Sequence, residues 1–178
     1  MKKTILIFSF LIFIISCKKN NDPGPTRSSL IARTWLLKSI TFSPALTVSI
    51  YGSSTQLTDA TLLLKDCTKD DLYTFNLNKT FIVDEGATKC NSSDPQTKAK
   101  GMWSLSIDSN SSNKTDSTLL KFNYNTVNIS GKITDLSTAN LQITTDAANL
   151  ATAFVSSSAS FYIDPKSTSV ATVTFTAK

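Results

Sequence analysis

The 178-residue chain contains no histidine. That absence removes the commonest general base, the Ser-His-Asp and Cys-His nucleophile systems, and every histidine-based zinc site. Glycine is scarce, at 5 residues. Neither a phosphate-cradling G-x-x-x-x-G-K-[ST] loop nor a strand–GxGxxG–helix unit occurs, so nucleotide and dinucleotide folds have no foothold. The net charge of +5 includes Lys2 and Lys3 near the N-terminus. No basic run with interleaved aromatics points to nucleic acid. No apolar run reaches the ~20 residues a membrane-spanning helix needs.

What is present starts with a leader. Lys2 and Lys3 form a positive n-region, and residues 5–15 are apolar apart from Ser9. That length fits the h-region of a signal peptide. Ile14-Ile15-Ser16-Cys17 resembles a lipobox, with an aliphatic residue at −3 and an obligatory cysteine at +1. The thiol would take a diacylglyceryl group, cleavage would precede Cys17, and the freed amine would be acylated. Several acyl chains on one residue anchor far more firmly than one, at ~0.8 kcal/mol per buried CH₂. The expected organisation is a signal peptide over 1–16, a lipid-anchored tether over 17–28 and a single domain over 29–178. The tether is polar and rich in Pro and Gly (Asn20-Asn21-Asp22-Pro23-Gly24-Pro25).

Ser and Thr make up roughly a quarter of the chain, well above ordinary usage. Interleaved with apolar residues, they read as the wet faces of β-strands. Ser28 or Ser29 is a candidate N-cap for a helical turn over 30–33. The first strand is expected over 35–42. Residues 43–66 are ambiguous: 46–51 alternate like a strand, and 58–65 fit either a short helix or a buried extended run. Further strands are expected over 100–108, 119–124, 127–133, 139–145, 153–163 and 170–176. Short, regularly spaced strands without a long helical pattern indicate an antiparallel barrel or sandwich.

The clearest hairpin spans 72–85. A two-residue turn would split the aromatics between faces. A three-residue turn, Leu77-Asn78-Lys79, pairs Phe75 with Phe81 and Tyr73 with Val83, which keeps the apolar set together. It obliges Lys79 to adopt a left-handed conformation at about 1 kcal/mol, less than the cost of misplacing two aromatics. Folding at Asn78 also brings Cys67 close to Cys90, and the leader delivers the chain to an oxidising compartment, so a disulfide is expected. A reactive thiol or a metal site are the alternatives; the latter lacks His and further Cys ligands.

The segment Cys67-Thr68-Lys69-Asp70-Asp71-Leu72-Tyr73-Thr74-Phe75, then Asp84-Glu85-Gly86, Lys89-Cys90 and Gly101-Met102-Trp103, resembles the lipocalin-like domain of bacterial lipoproteins. The family's opening Gly-x-Trp is here Arg33-Thr34-Trp35, and its turn glycine is Lys79. The specific likeness covers about residues 67–105. The resemblance implies an all-β fold, a small antiparallel up-and-down β-barrel of about eight strands with a short N-terminal helical turn.

Candidate residues for a pocket or a packed core are Trp35, Tyr73, Phe75, Phe81, Val83, Trp103, Leu105, Leu120, Phe122 and Ile129. A barrel of this size either packs side chains or holds one small ligand. Trp35 and Trp103 read as plugs closing one barrel end or as ligand-stacking aromatics. Asp70, Asp71, Asp84 and Glu85 form a carboxylate cluster: a Ca²⁺ or acid/base site, or a solvated group offset by Lys65, Lys69 and Lys89. The expectation is no catalytic residue, no resident metal and no cofactor. The partners implied are a membrane, through Cys17, and on one reading a small apolar ligand. On that reading the protein is an envelope carrier; on the other it is a filled interaction module for protein or glycan. Its expected place is the cell envelope, lipid-anchored at the outer membrane on either its periplasmic face or the cell surface.

Overall fold

The computed structural model describes residues 24–50, 53–107, 118–124, 127–147, 150, 161–163 and 168–178. A short helix, α1 (Arg27–Ile31), leads into a long strand, β1 (Thr34–Ile50). β2 (Ser53–Asp59) folds back on it, followed by a 3-10 turn (Ala60–Leu63) and a single helical turn, α2 (Asp66–Lys69). An antiparallel meander follows: β3 (Leu72–Phe75), β4 (Thr80–Asp84), β5 (Thr97–Ile107), β6 (Thr118–Tyr124), β7 (Val127–Leu136) and β8 (Asn140–Asp146). The short β9 (Phe161–Ile163) and β10 (Val170–Ala177) complete the order. Of the strand expected over 153–163, only β9 falls inside the described residues.

Each strand of the meander pairs with its sequence neighbour, β10 pairs β8, and β10 also pairs β1. That last pairing closes an eight-stranded up-and-down barrel of the small, lipocalin-like kind and leaves its ring without an edge. β1 serves two structures. Its first half lies between β3 and β10 in the wall. Beyond the cis Ser43–Pro44 bond it leaves the ring and pairs with β2 on one side and β9 on the other. The two strands expected at 35–42 and 46–51 are therefore one.

The β3–β4 hairpin has the expected register, with Tyr73 opposite Val83 and Phe75 opposite Phe81. Lys79 takes φ 70°. Asn78 helps hold the turn, its Oδ1 accepting from the Thr80 backbone N–H at 3.1 Å and hydroxyl at 2.7 Å.

One expectation is corrected. The N-cap of α1 is Thr26, whose hydroxyl accepts from the Ser29 N–H; neither Ser28 nor Ser29 caps it. Of the two readings of residues 58–65, the short helix holds, as a 3-10 helix over Ala60–Leu63, and the buried extended run does not. Asp59 caps a 3-10 turn through Thr61, and only Ala60 is fully buried there. Leu62 stays 80% exposed and Leu63 45% exposed, because a turn this short presents one face to the wall and the rest to solvent.

Alternate residues of every barrel strand point inward and make one continuous core, from Ile31 and Trp35 at one end to Ala147 and Leu150 at the other. No described helix is long and apolar enough to cross a membrane.

Candidate functional site

The barrel interior is occupied. Trp35, Tyr73, Phe75, Phe81, Val83, Trp103, Leu120, Phe122 and Ile129 are all buried, and Leu105 packs against them partly exposed. Phe75 sits at the centre of an aromatic cluster. Its ring lies 4.7 Å from Phe81, 5.6 Å from Phe122 and 5.8 Å from Trp103. Phe81 and Phe122 are 4.9 Å apart. Tyr73 meets Phe175 edge-on at 5.4 Å. These separations are ordinary aromatic packing distances, and edge-to-face pairs add about 0.5–1.5 kcal/mol each beyond burial. Phe175 was missed among the candidates, although Ala171, Val173 and Phe175 alternate and carry the signal.

The two tryptophans bind the N-terminal end together. The Trp35 indole N–H donates to the Ile31 carbonyl at 2.9 Å and so fixes α1 beneath the barrel. The Trp103 indole N–H donates to the Asn76 carbonyl at 2.8 Å, the same oxygen that accepts from Lys79 N–H. A cation covers each ring: Arg33 over Trp35 at 5.5 Å and Lys79 over Trp103 at 3.8 Å.

The opposite end carries the charge chemistry. Cys67 and Cys90 form the expected disulfide, with Cα atoms 5.1 Å apart. It ties α2 to the loop after β4. Asp71 precedes Tyr73 by two residues and Glu85 follows Val83 by two, so both continue the inward-facing rows. Both are buried, at 0% and 1% exposure. Their counter-ion is Lys98, whose Nζ lies 2.8 Å from Asp71 Oδ2 and 3.6 Å from Glu85 Oε1. Lys98 reaches them because the β4–β5 ladder slips. Val83 faces Ala99 while Asp84 faces Thr97, leaving Lys98 as the extra residue of a bulge. In a regular strand with Ala99 inward, Lys98 would point to solvent.

One lysine does not satisfy two buried carboxylates. Asp71 Oδ1 and Glu85 Oε2 are buried without a hydrogen-bond partner. Burial pushes the Asp71 carboxyl above its usual range; Lys98 opposes this and the neighbouring Glu85 and Asp70 charges add to it.

The carboxylate cluster expected to be solvated and offset by Lys65, Lys69 and Lys89 is thus corrected. Its core is buried on Lys98, while Lys69 pairs with Asp66 and Lys89 donates to the Asp94 carbonyl. The four carboxylates also diverge. Asp70 accepts from the Thr88 N–H and Asp84 from the Thr97 hydroxyl. Among the described residues no three His, Cys, Asp or Glu side chains gather as metal ligands. The two chain segments pack closely here: a Cβ on Gly86 would fall 2.2 Å from the Asp70 carbonyl oxygen.

Two depressions mark the described surface. One of 280 Å³ lies on β5, β6 and β7, where its lining includes the candidates Trp103, Phe122 and Ile129 beside Met102, Lys121 and Asn128. Another of 340 Å³ lies between Arg27 and Leu30 of α1 and residues 133–136 of β7. Neither opens onto Phe75 or Phe81.

No protein-family model matches the chain, and no curated protein or solved structure matches it.

Proposed function

We propose that this chain is a lipid-anchored, non-catalytic protein of the cell envelope, related to the lipocalin-like domains of bacterial lipoproteins, whose filled barrel is a rigid scaffold for contacts made on its outside. The occupied interior carries this reading. Phe75, Phe81, Phe122 and Trp103 contact one another where a carrier would need an empty lumen. Lipid-binding barrels need a cavity of a few hundred Å³ lined by apolar groups, and neither depression named above is lined by Phe75 or Phe81, the centre of the aromatic cluster. The anchor rests on the leader and Cys17, followed by a polar, Pro- and Gly-containing segment at residues 18–25 that leads to the Thr26 cap of α1. The groove over β5–β7, where Ser, Asn and Lys residues neighbour Met102, Trp103, Phe122 and Ile129, suits a partner with both polar and apolar groups, such as a glycan or a protein loop.

Native mass spectrometry of the full protein from its host tests both parts. The expected spectrum shows acyl mass on Cys17 and no further bound small molecule. A stoichiometric apolar molecule released from the barrel would overturn the filled-scaffold reading and restore the carrier. An unmodified Cys17 would overturn the anchor.

A further inference from the structure

The end of the barrel nearest the tether is different in character from the other. Four links define this rim. Arg27 donates to the Thr118 hydroxyl at 2.7 Å, and Lys79 Nζ to the Ser28 hydroxyl at 3.1 Å. Arg33 donates to the Thr138 carbonyl. Thr118 faces Ile107 across the β5–β6 ladder. The rim therefore joins α1, the β3–β4 turn and the ends of β5, β6 and β7.

Its cations are Arg27, Arg33 and Lys79, with Lys132 one step along β7 opposite Leu119. Among the described residues, Asp135 is the one side-chain carboxylate in this half; it shares the cleft of Arg27. Every other described carboxylate lies toward the far half, six of them (Asp66, Asp70, Asp71, Asp84, Glu85 and Asp94) between residues 66 and 94. They outnumber the lysines around them, Lys65, Lys69, Lys89 and Lys98. The barrel is polarised along its axis.

The same rim exposes apolar side chains. Leu77 at the turn tip is 70% exposed, Ile107 66% and Met102, opposite Thr80, 62%. The described chain enters here. Thr26 is nine residues from Cys17, which bounds its distance from an acylated Cys17 at about 30 Å in full extension.

We infer that the barrel docks on an anionic membrane surface through this rim, with Leu77 and Ile107 entering the headgroup layer and the carboxylate-rich, disulfide-closed end turned away. The inference rests on the anchoring proposed above, and it adds an orientation that the anchor alone does not impose. Cations near an anionic leaflet are attracted over a Debye length. The carboxylate-rich end would be repelled by the same surface, so both ends favour one orientation.

The test uses the full lipidated protein in vesicles. Leu77→Cys and, as a control, Leu62→Cys on the 80% exposed 3-10 turn each carry an environment-sensitive fluorophore. In vesicles containing phosphatidylglycerol, the probe at position 77 should shift to the blue and be quenched by brominated acyl chains, while the probe at 62 is not. The quenching should be lost in phosphatidylcholine, in molar salt, and in the Arg27→Glu/Lys132→Glu variant with unchanged circular dichroism. Equal quenching at both positions, or quenching at 62 alone, would overturn the docking while leaving the anchor intact. A chain whose mass shows no acyl group on Cys17 would overturn the anchoring and the docking with it.

Discussion

Asp71 and Lys98 meet at 2.8 Å inside the barrel wall because β5 carries one extra residue at Lys98. The bulge turns a lysine that alternation places outside toward two carboxylates that alternation places inside. The pair becomes a buried group of one cation and two anions, in which removing the cation leaves uncompensated charge.

Lys98→Met should therefore destabilise the protein by about 3–5 kcal/mol at neutral pH, the usual cost of breaking a buried pair from one side. Urea unfolding at pH 7 and pH 5 measures it. The penalty should shrink at the lower pH, as the stranded carboxylates take up protons. An equal penalty at both would place the cost in packing alone.

Asp71 gives a second pH signature. Its folded-state pKa lies above the ordinary carboxylate value of 3.8. Between those two values the native state binds more protons than the unfolded chain, so this residue adds stability as pH falls through the folded value and loses it as pH rises. Asp71→Asn removes the titration. Its melting temperature relative to the parent should rise as the pH increases from about 4 to 7. A difference independent of pH would show that Asp71 does not titrate in this range.

The disulfide closes a separation of 23 residues. In the chain-entropy account such a loop stabilises by about 3 kcal/mol. Cys67→Ala/Cys90→Ala should lower the denaturant midpoint accordingly and leave the far-ultraviolet spectrum intact, because the eight-stranded ring closes through β1 and β10 without it. Loss of the β spectrum would show that the bridge is needed for the fold.

Lys79 combines a left-handed backbone with a contact over Trp103. Lys79→Gly relieves the first and loses the second, so its stability should stay within about 1 kcal/mol of the parent. Lys79→Ala keeps the strain and loses the contact. It should be the less stable of the two, reversing the usual advantage of Ala over Gly, as thermal melts of the pair would reveal.

Phe81→Ala should cost about 3–5 kcal/mol and open a dry cavity within the aromatic cluster. Binding of benzene or xenon by the variant and not by the parent would separate a filled barrel from a natural pocket.

The hairpin at 72–85 is legible in the sequence because two signals agree there. Strict alternation defines the faces, and only a three-residue turn keeps Phe75, Phe81, Tyr73 and Val83 on one of them. The bulge at Lys98 gave no such signal: Lys98-Ala99-Lys100 alternates polar and apolar as a regular strand would. Thr26, Ser28 and Ser29 are all competent caps by composition. The helix starts after Thr26, and Trp35 then binds its last carbonyl, at Ile31.

The sequence by itself determined most of the barrel strands, the β3–β4 register and the cysteine pair, since each is set by local alternation or short chain separation; β2 and the continuity of β1 beyond Phe42 were not legible in it. Tertiary structure alone decided the rest. Closure of β10 on β1 joins segments more than 120 residues apart in sequence. That closure brings Phe175 to Tyr73 and makes the two rows of inward residues one core. The bulge selected Lys98 as partner of Asp71 and Glu85, because charges leaving water need a counter-ion that the folded wall can deliver, whichever lysines lie nearer in sequence.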